Sequence, residues 1–499
     1  MIPRLQNSVF IIYNTTIFIN HGAYIPTMGF VRYKKFGKKE YAYEIISYWD
    51  PKLKKPRQKT KYLGMVIDKD KGLYEKKQKH LTNEKLILDF GDAYILYEFM
   101  KSTKIVDLLN RVFRDNGKYL TTLLFYKLCY GSAMNYAKIW YEGSITRLLF
   151  DNIDLSSQRI SDFLKDIGDE QTLRSFFKDY ISSFTKPEDG VIIDTTSLPN
   201  QIHFPFNMWG YNDGSIDKQI RFLFVVDKNS LLPLFFRYLP GSIVDVSTLN
   251  ITMEECKKYG IKNSFALIDS GFYSEDNIKG LFGEQVEFLI RLPSNRIVYK
   301  DLIKQDIDDI ESFSYAVRYG ERALFVKEKE IGLYGKKGFA YIILDPERKG
   351  RETKKLLLDA MEEPEGEQEI EYKLKKKGIM ILISSFKLTK EEVVPVYYIR
   401  QTVERLFGFS KDDLKLIPLR VHKEETLRGY LLLTFISLIV FILLKKELGK
   451  KHTVENILLL MRNLKCKVYT KEILISELTK HQKEIIDKLS IIMPKKLGI

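Results

Sequence analysis

At 499 residues, 45% of them hydrophobic, the chain is long enough for two or three domains with their own cores and too apolar to be a disordered tail. Eighty Lys and Arg against 65 Asp and Glu leave a net charge of +15, which favours a polyanionic partner, nucleic acid first, over an acidic small molecule. Cys129, Cys256 and Cys466 stand far apart with no CxxC spacing, which argues against a zinc ribbon and a disulfide framework and fits a reducing cytoplasm.

Residues 1–27 are weakly apolar, carry one early arginine and lack a small-residue cleavage site, so they make a poor signal peptide. The abrupt change to basic, alternating sequence at Gly29 marks Met28 as a candidate start. From Met28 to Val66 eleven Lys or Arg face three acids. EYAYEIISYW and KTKYLGMV alternate on either side of Pro51 and Pro56, so a basic β-hairpin region is expected over 28–80, able to lie on phosphates. Over 81–186 apolar residues return at helical spacing, as in YILYEFMKSTKIVDLLNRVF, and a helical domain is expected. Ser156 and Ser157 read as a helix start, and Gly117, Gly143 and Gly168 as helix ends.

At Gly190 the period changes. GVIIDTTSL, RFLFVVDKN and LLPLFFRYL read as strands, the last two joined by a turn at Asp227. A helix ending at Gly260, the strand SFALIDSGF, the helix SEDNIKGLFG and the strand VEFLIRL follow. An antiparallel meander entering βαβ units is an α/β pattern of the RNase H kind, so 187–292 is expected to be the first part of an RNase H-like core. Residues 293–377, with charged strands and a basic helix, read as a β-rich insertion. GIMILISSF resumes an apolar strand, and 378–449 reads as the second part of the core. Its run from Tyr430 to Leu444 is short for a membrane span and suits a buried helix. Residues 450–499 are expected to form a helical C-terminal tail.

Asp194 closes VIID and Asp269 closes ALID, each following a buried-strand run and preceding turn-type residues. Downstream, Tyr397, Arg400, Glu404 and Lys411 stand at offsets of 0, 3, 7 and 14, within about 60° of one another on a helix. Such a helix would present a Tyr, an Arg, a carboxylate and a Lys in a row about 21 Å long. Read alone, it is a solvated helix with an Arg400–Glu404 pair. With Asp194 and Asp269 in one sheet, Glu404 completes a set of three carboxylates. Hard oxygen ligands in that number suit Mg²⁺ or Mn²⁺, and two such ions could activate a water or a 3′-hydroxyl for displacement at phosphorus.

Tyr397-x2-Arg400-x3-Glu404-x6-Lys411 resembles the Tyr-Arg-Glu-Lys signature of DDE transposases from prokaryotic insertion sequences, in the subgroup with a β-rich insertion between the second Asp and the Glu. DTTSLP around Asp194, PGSIVDVSTL around Asp245 and ALIDSGFYSEDNI around Asp269 resemble that subgroup's blocks. The resemblance implies that Asp194, Asp269 and Glu404 are catalytic and ligate two Mg²⁺ or Mn²⁺ ions, and that Tyr397, Arg400 and Lys411 contact DNA. It further implies hydrolytic cleavage at transposon ends and strand transfer into target DNA, within a homodimer pairing two double-stranded ends in the nucleoid, with no membrane and no small-molecule substrate. Family members also stack a flipped base on an insertion-domain aromatic. No Trp lies between Asp269 and Glu404, which leaves Tyr334, Phe339 and Tyr341 as candidates.

Two alternatives share most of these features. A nuclease on the same core would keep the carboxylates without strand transfer, and a silent transposase-derived DNA-binding protein would have lost them. Asp245 and Thr248 either position Asp194 or cap the next helix. His203 and His422 are isolated in sequence and are not proposed as ligands.

Overall fold

The computed structural model describes residues 29–37, 39–50, 53–75, 85–185, 190–212, 215–243, 245–262, 265–362, 366–470 and 472–498. The doubtful leader and Met28 lie outside the described residues. The chain forms two compact units, Met1–Glu84 and Lys85–Ile499.

In the first unit, β1 (Gly29–Phe36), β2 (Lys39–Asp50), β3 (Lys55–Asp68) and β4 (Leu73–Glu75) form one antiparallel sheet in that order. The expected hairpin corresponds to β2 and β3, and a strand is added on each side. Among the described residues its buried hydrophobic side chains are Ala42 and Ile45, while Lys34, Lys35, Lys59 and Lys61 are exposed. A sheet with so small a core leans on cross-strand pairs, such as the Tyr43 and Tyr62 rings 5.3 Å apart.

The second unit opens with β5 (Leu86–Asp89), followed by helices Gly91–Ser102, Ile105–Phe113, Gly117–Cys129, Ala137–Gly143, Thr146–Leu149, Ser157–Ile167 and Glu170–Phe184. Gly117 begins a helix where the sequence suggested an end. A Cβ at that position would come within 2.7 Å of Asn110 Oδ1, so the glycine is set by packing rather than by termination. Gly117–Cys129, Ser157–Ile167 and Glu170–Phe184 pack on the long helix Glu424–Leu448, which carries the apolar run Tyr430–Leu444 and is mostly buried. It is the one described helix long and apolar enough to cross a membrane. A Cβ at Gly429 would meet Leu164 O at 1.8 Å, so only glycine lets the Ser157–Ile167 helix approach this closely.

The main sheet contains β6 (Val191–Pro199), β7 (Met208–Asn212), β8 (Ser215–Asp227), β9 (Pro233–Pro240), β10 (Phe265–Ile268), β11 (Glu287–Arg291), β12 (Ala316–Tyr319), β13 (Arg322–Leu333), β14 (Lys336–Leu344) and β15 (Ile379–Ser384). Their order is β12-β13-β14-β15-β11-β10-β6-β8-β7, with β9 also paired to β8. β10 runs parallel to β6 and β11, and the other pairings are antiparallel. Residues 293–377, expected as a β-rich insertion, divide between helices Ile297–Asp306, Pro346–Glu362 and Glu367–Lys375 and the strands β12–β14, which extend the main sheet through β14 and β15. The reason is apolarity on both faces: Ala340, Tyr341, Ile342, Ile343 and Leu344 are all buried and need cover above and below.

The tail departs from the expected all-helical form. Between helices Val454–Arg462 and Lys480–Lys488 lie β16 (Lys465–Val468) and β17 (Glu472–Ile475), and β18 (Lys496–Gly498) follows. The four-stranded order β18-β17-β16-β5 ties them to the start of the unit. Short apolar runs such as EILI fit both periods, and here pairing decides in favour of strand: Glu472–Ile475 pairs with β16 and β18, and β16 in turn with Leu86–Asp89.

Candidate active site

The parallel register between β6 and β10 sets Ile193 beside Ile268, so Asp194 and Asp269 are the next residues on neighbouring strands. Both lie at the carboxyl end of the β6–β10 parallel pairing, where α/β sheets commonly form clefts. Asp194 is not a strand terminus, however. β6 continues to Pro199 because Asp194 to Pro199 remain paired with Phe224 to Gln219 of β8. β10 does end at Ile268, and Asp269 leads into a 3-10 turn, Ser270–Phe272.

The third contributor is a broken helix where a continuous one was expected. The first piece, Lys390–Tyr398, starts at a capping box formed by Thr389 and Glu392. Arg400 N–H, Thr402 N–H and Val403 N–H then donate to carbonyls three residues back, tightening the chain at Ile399 and Arg400. The second piece, Gln401–Gly408, runs into a π-helical turn, Phe409–Asp413. The six expected residues nevertheless come together, and Arg400 lies among the carboxylates. Its Nη1 is 2.9 Å from Asp194 Oδ2 and 3.7 Å from Asp269 Oδ2, and its Nη2 is 2.9 Å from Glu404 Oε1.

Tyr397, expected on an open face, is buried, and its hydroxyl stands 3.4 Å from Asp269 Oδ1. Lys411 Nζ donates to Thr196 Oγ1 at 2.7 Å. Thr196 was not anticipated. Its signal was the period of two along DTT, which sends Asp194 and Thr196 to the same face of β6.

Burial and charge set the protonation states. Asp194, 6% exposed, is pushed up to about 7 by burial, with the Arg400 guanidinium opposing and Asp269 adding to the rise. Burial works to lower the Arg400 pKa, but the carboxylates prevail and raise it, so it stays charged. Burial raises the Tyr397 phenol to about 12 and lowers the Lys411 ammonium. Glu404 is half exposed and faces a cleft of about 430 Å³ lined also by Asp194, Asp269, Arg400 and Lys411.

As they stand, no three His, Cys, Asp or Glu side chains among the described residues form a group that could hold a metal ion. Arg400 instead bridges the three carboxylates. The donor chemistry fits a divalent cation all the same, since three hard-oxygen groups already converge on one positive group. Of the aromatic candidates, Tyr341 is fully buried with its hydroxyl donating to Leu388 O, which makes it a core residue. The Tyr334 hydroxyl lies 3.2 Å from that of Tyr273, and Phe339 packs partly buried against the core. Thr248 occupies the N-cap position of helix Leu249–Lys258 without a side-chain cap bond. The His203 and His422 rings, isolated in sequence, are stacked with centroids 6.5 Å apart.

Fold and site together define a mixed α/β protein with an acidic cluster carried by two adjacent parallel strands and completed by a helix. Residues 185–440, just over half of the chain, match the transposase DDE domain family, and the chain belongs to that family. A piggyBac transposase synaptic complex with hairpin DNA, solved by cryo-EM, is similar at 14% identity with a TM-score of 0.38, over 74% of this chain and 70% of that one. A likeness of that degree carries no weight for the fold. No curated protein matches the chain.

Proposed function

We propose that this transposase is of the prokaryotic insertion-sequence kind with the Tyr-Arg-Glu-Lys signature, and that it cleaves double-stranded DNA at the element's ends and joins them to target DNA. The convergence of Asp194, Asp269 and Glu404 on one cationic group carries this reading. Under it the strands around Asp194 and Asp269 are an RNase H-like core, residues 293–377 correspond to the insertion, and the basic first unit lies on DNA phosphates. The enzyme works as a homodimer on paired ends in the nucleoid.

Asp194, Asp269 and Glu404 would hold two Mg²⁺ or Mn²⁺ ions, which when bound supply Lewis-acid activation at phosphorus. The chain's own groups do the rest. Arg400, charged at all working pH values, keeps the carboxylates gathered before substrate arrives and has the planar fork suited to phosphate. Lys411, lying beside the same cleft and hydrogen-bonded to Thr196, offers a point charge to a phosphate. Tyr397 donates to Asp269 and fixes its orientation.

The test is cleavage of labelled DNA carrying the element's own ends, in Mg²⁺, Mn²⁺ or EDTA, with wild type and Glu404→Gln. End-specific, metal-dependent nicking and joining should fall at least 100-fold in Glu404→Gln while DNA binding survives. A variant that cuts as well as wild type would reduce Glu404 to a salt-bridge partner of Arg400.

A further inference from the structure

Beside the carboxylate cluster lies a second, larger cleft of about 700 Å³, between β11, β15 and the helices that follow β14. Five cationic side chains line it, Arg291, Arg348, Lys373, Lys376 and Lys377, against the single carboxylate of Glu352. Arg348 Nε sits 2.5 Å from Glu352 Oε1, and Glu352 Oε2 also accepts the Gly378 N–H, so each oxygen of that carboxylate already has a partner. Lys373 pairs with Glu369 at 3.1 Å. Arg291, Lys376 and Lys377 have no ion-pair partner among the described residues, although the Lys376 ammonium sits 3.8 Å above the Tyr372 ring. The cleft thus keeps an excess of positive charge over its one carboxylate, which is already bonded to Arg348, and that excess favours an anion.

The position of Arg291 connects this cleft to the acidic cluster. Ile290 of β11 is in register with Ile268 of β10, as Ile193 of β6 is, so Asp194, Asp269 and Arg291 follow one another across three adjacent parallel strands. Ser270, next after Asp269, lines the basic cleft itself. The Arg291 charge lowers the pKa of two phenols that burial raises, Tyr397 at the cluster and Tyr299 in the cleft. A strand end held at Asp269 would therefore meet unpaired positive charge within one strand spacing, about 5 Å.

We propose that this cleft binds the sugar-phosphate backbone of a single-stranded DNA segment adjoining the acidic cluster, without reading bases. The inference rests on the DNA-processing function proposed above. A cleft lined by flexible lysines, one aromatic-stacked ammonium and one unpaired guanidinium suits successive phosphates on a bendable strand.

The experiment uses the full chain in EDTA, so that binding is read without cleavage, with fluorescein-labelled (dT)12 and a 24-base-pair duplex as probes between 50 and 300 mM NaCl. Arg291→Ala/Lys376→Ala/Lys377→Ala should weaken (dT)12 binding at least 10-fold at 100 mM salt and reduce the salt slope by about 2, since each single-strand phosphate contact contributes about 0.7. Duplex binding should change less than 3-fold. An unchanged (dT)12 affinity and slope overturns the proposal, and an equal loss on duplex overturns the single-strand assignment. Excess inorganic phosphate that competes as well as (dT)12 at equal phosphate concentration would show a free-anion site and also overturns it.

A second measurement needs no variant. Lysine acetylation of wild type, read by peptide mass, should be at least 5-fold slower at Lys376 and Lys377 with (dT)12 present, and absence of protection overturns the proposal. The two readings separate cleanly. End-specific cleavage without protection of the cleft removes only the cleft, whereas protection without metal-dependent cleavage removes the transposition reaction and leaves a strand-binding site.

Discussion

Two cations buried in the second unit have opposite surroundings. Arg400 enters a nest of three carboxylates and stays charged, whereas Lys127, on the helix Gly117–Cys129, is 3% exposed with no carboxylate beside it. Its ammonium donates to Tyr430 Oη at 3.2 Å and lies 4.5 Å from that ring's centroid, and burial pushes its pKa down to about 7. Burial penalises both charges alike, and the difference is made by neighbours. The helical region tolerates a cation by letting it give up its proton near neutrality, while the carboxylate site keeps its cation by surrounding it with acids.

Replacing Arg400 breaks the comparison at its costlier end. Arg400→Leu leaves Asp194, Asp269 and Glu404 together without a cation, and a loss of about 3–5 kcal/mol is expected at pH 8 in urea unfolding. The loss should be smaller at pH 5, where Asp194 already carries a proton. An equal loss at both pH values would mean that packing, not charge, is what Arg400 supplies.

Lys127→Met acts in the opposite direction. A folded pKa of about 7 against 10.5 unfolded means that the unfolded chain holds more protons between those values, so wild-type stability rises with pH from about 7 to 10.5 and is lowest below 7. The variant should flatten that rise and gain about 2–3 kcal/mol at pH 7. The full shift corresponds to about 5 kcal/mol, from which the lost Tyr430 hydrogen bond and cation–π contact subtract. A variant less stable than wild type at pH 7 would refute the description of Lys127 as a strained cation.

Glu404→Gln gives the smallest effect on stability. Its side chain is 52% exposed, and loss of its Arg400 pair should change the unfolding free energy by less than about 1 kcal/mol. The contrast between that small change and the expected collapse of DNA cleavage would separate a group kept for chemistry from one kept for folding.

Much of the site was legible in the sequence because Asp194 and Asp269 each follow a recognisable apolar run. VIID and ALID become neighbouring parallel strands, and the step from Tyr397 to Glu404 survives the break between the two helical pieces. Polar side chains at helical spacing, however, suggested an exposed face, whereas Tyr397 and Arg400 turn inward to the acids; only the partners across the chain decide that. Arg291 was missed although VEFLIR ends as VIID and ALID do, in a charged residue after a buried strand. The tail misled for another reason: four-residue strands carry no period of their own, and β16 finds one of its partners, β5, at the far end of the unit.

That pairing has a temporal side. Lys465 bonds Asp89 across 376 residues of sequence, so β5 emerges from the ribosome long before the strand that completes its sheet. At about 5–20 residues per second the wait is roughly 20 to 75 s, during which β5 has no partner strand from this sheet and Gly91 no packing against Met461 and Leu464. Closure of this four-stranded sheet thus waits until residues 465–468 have been made, and a message truncated before codon 465 would yield a chain whose helix Gly91–Ser102 never receives its packing against Met461 and Leu464.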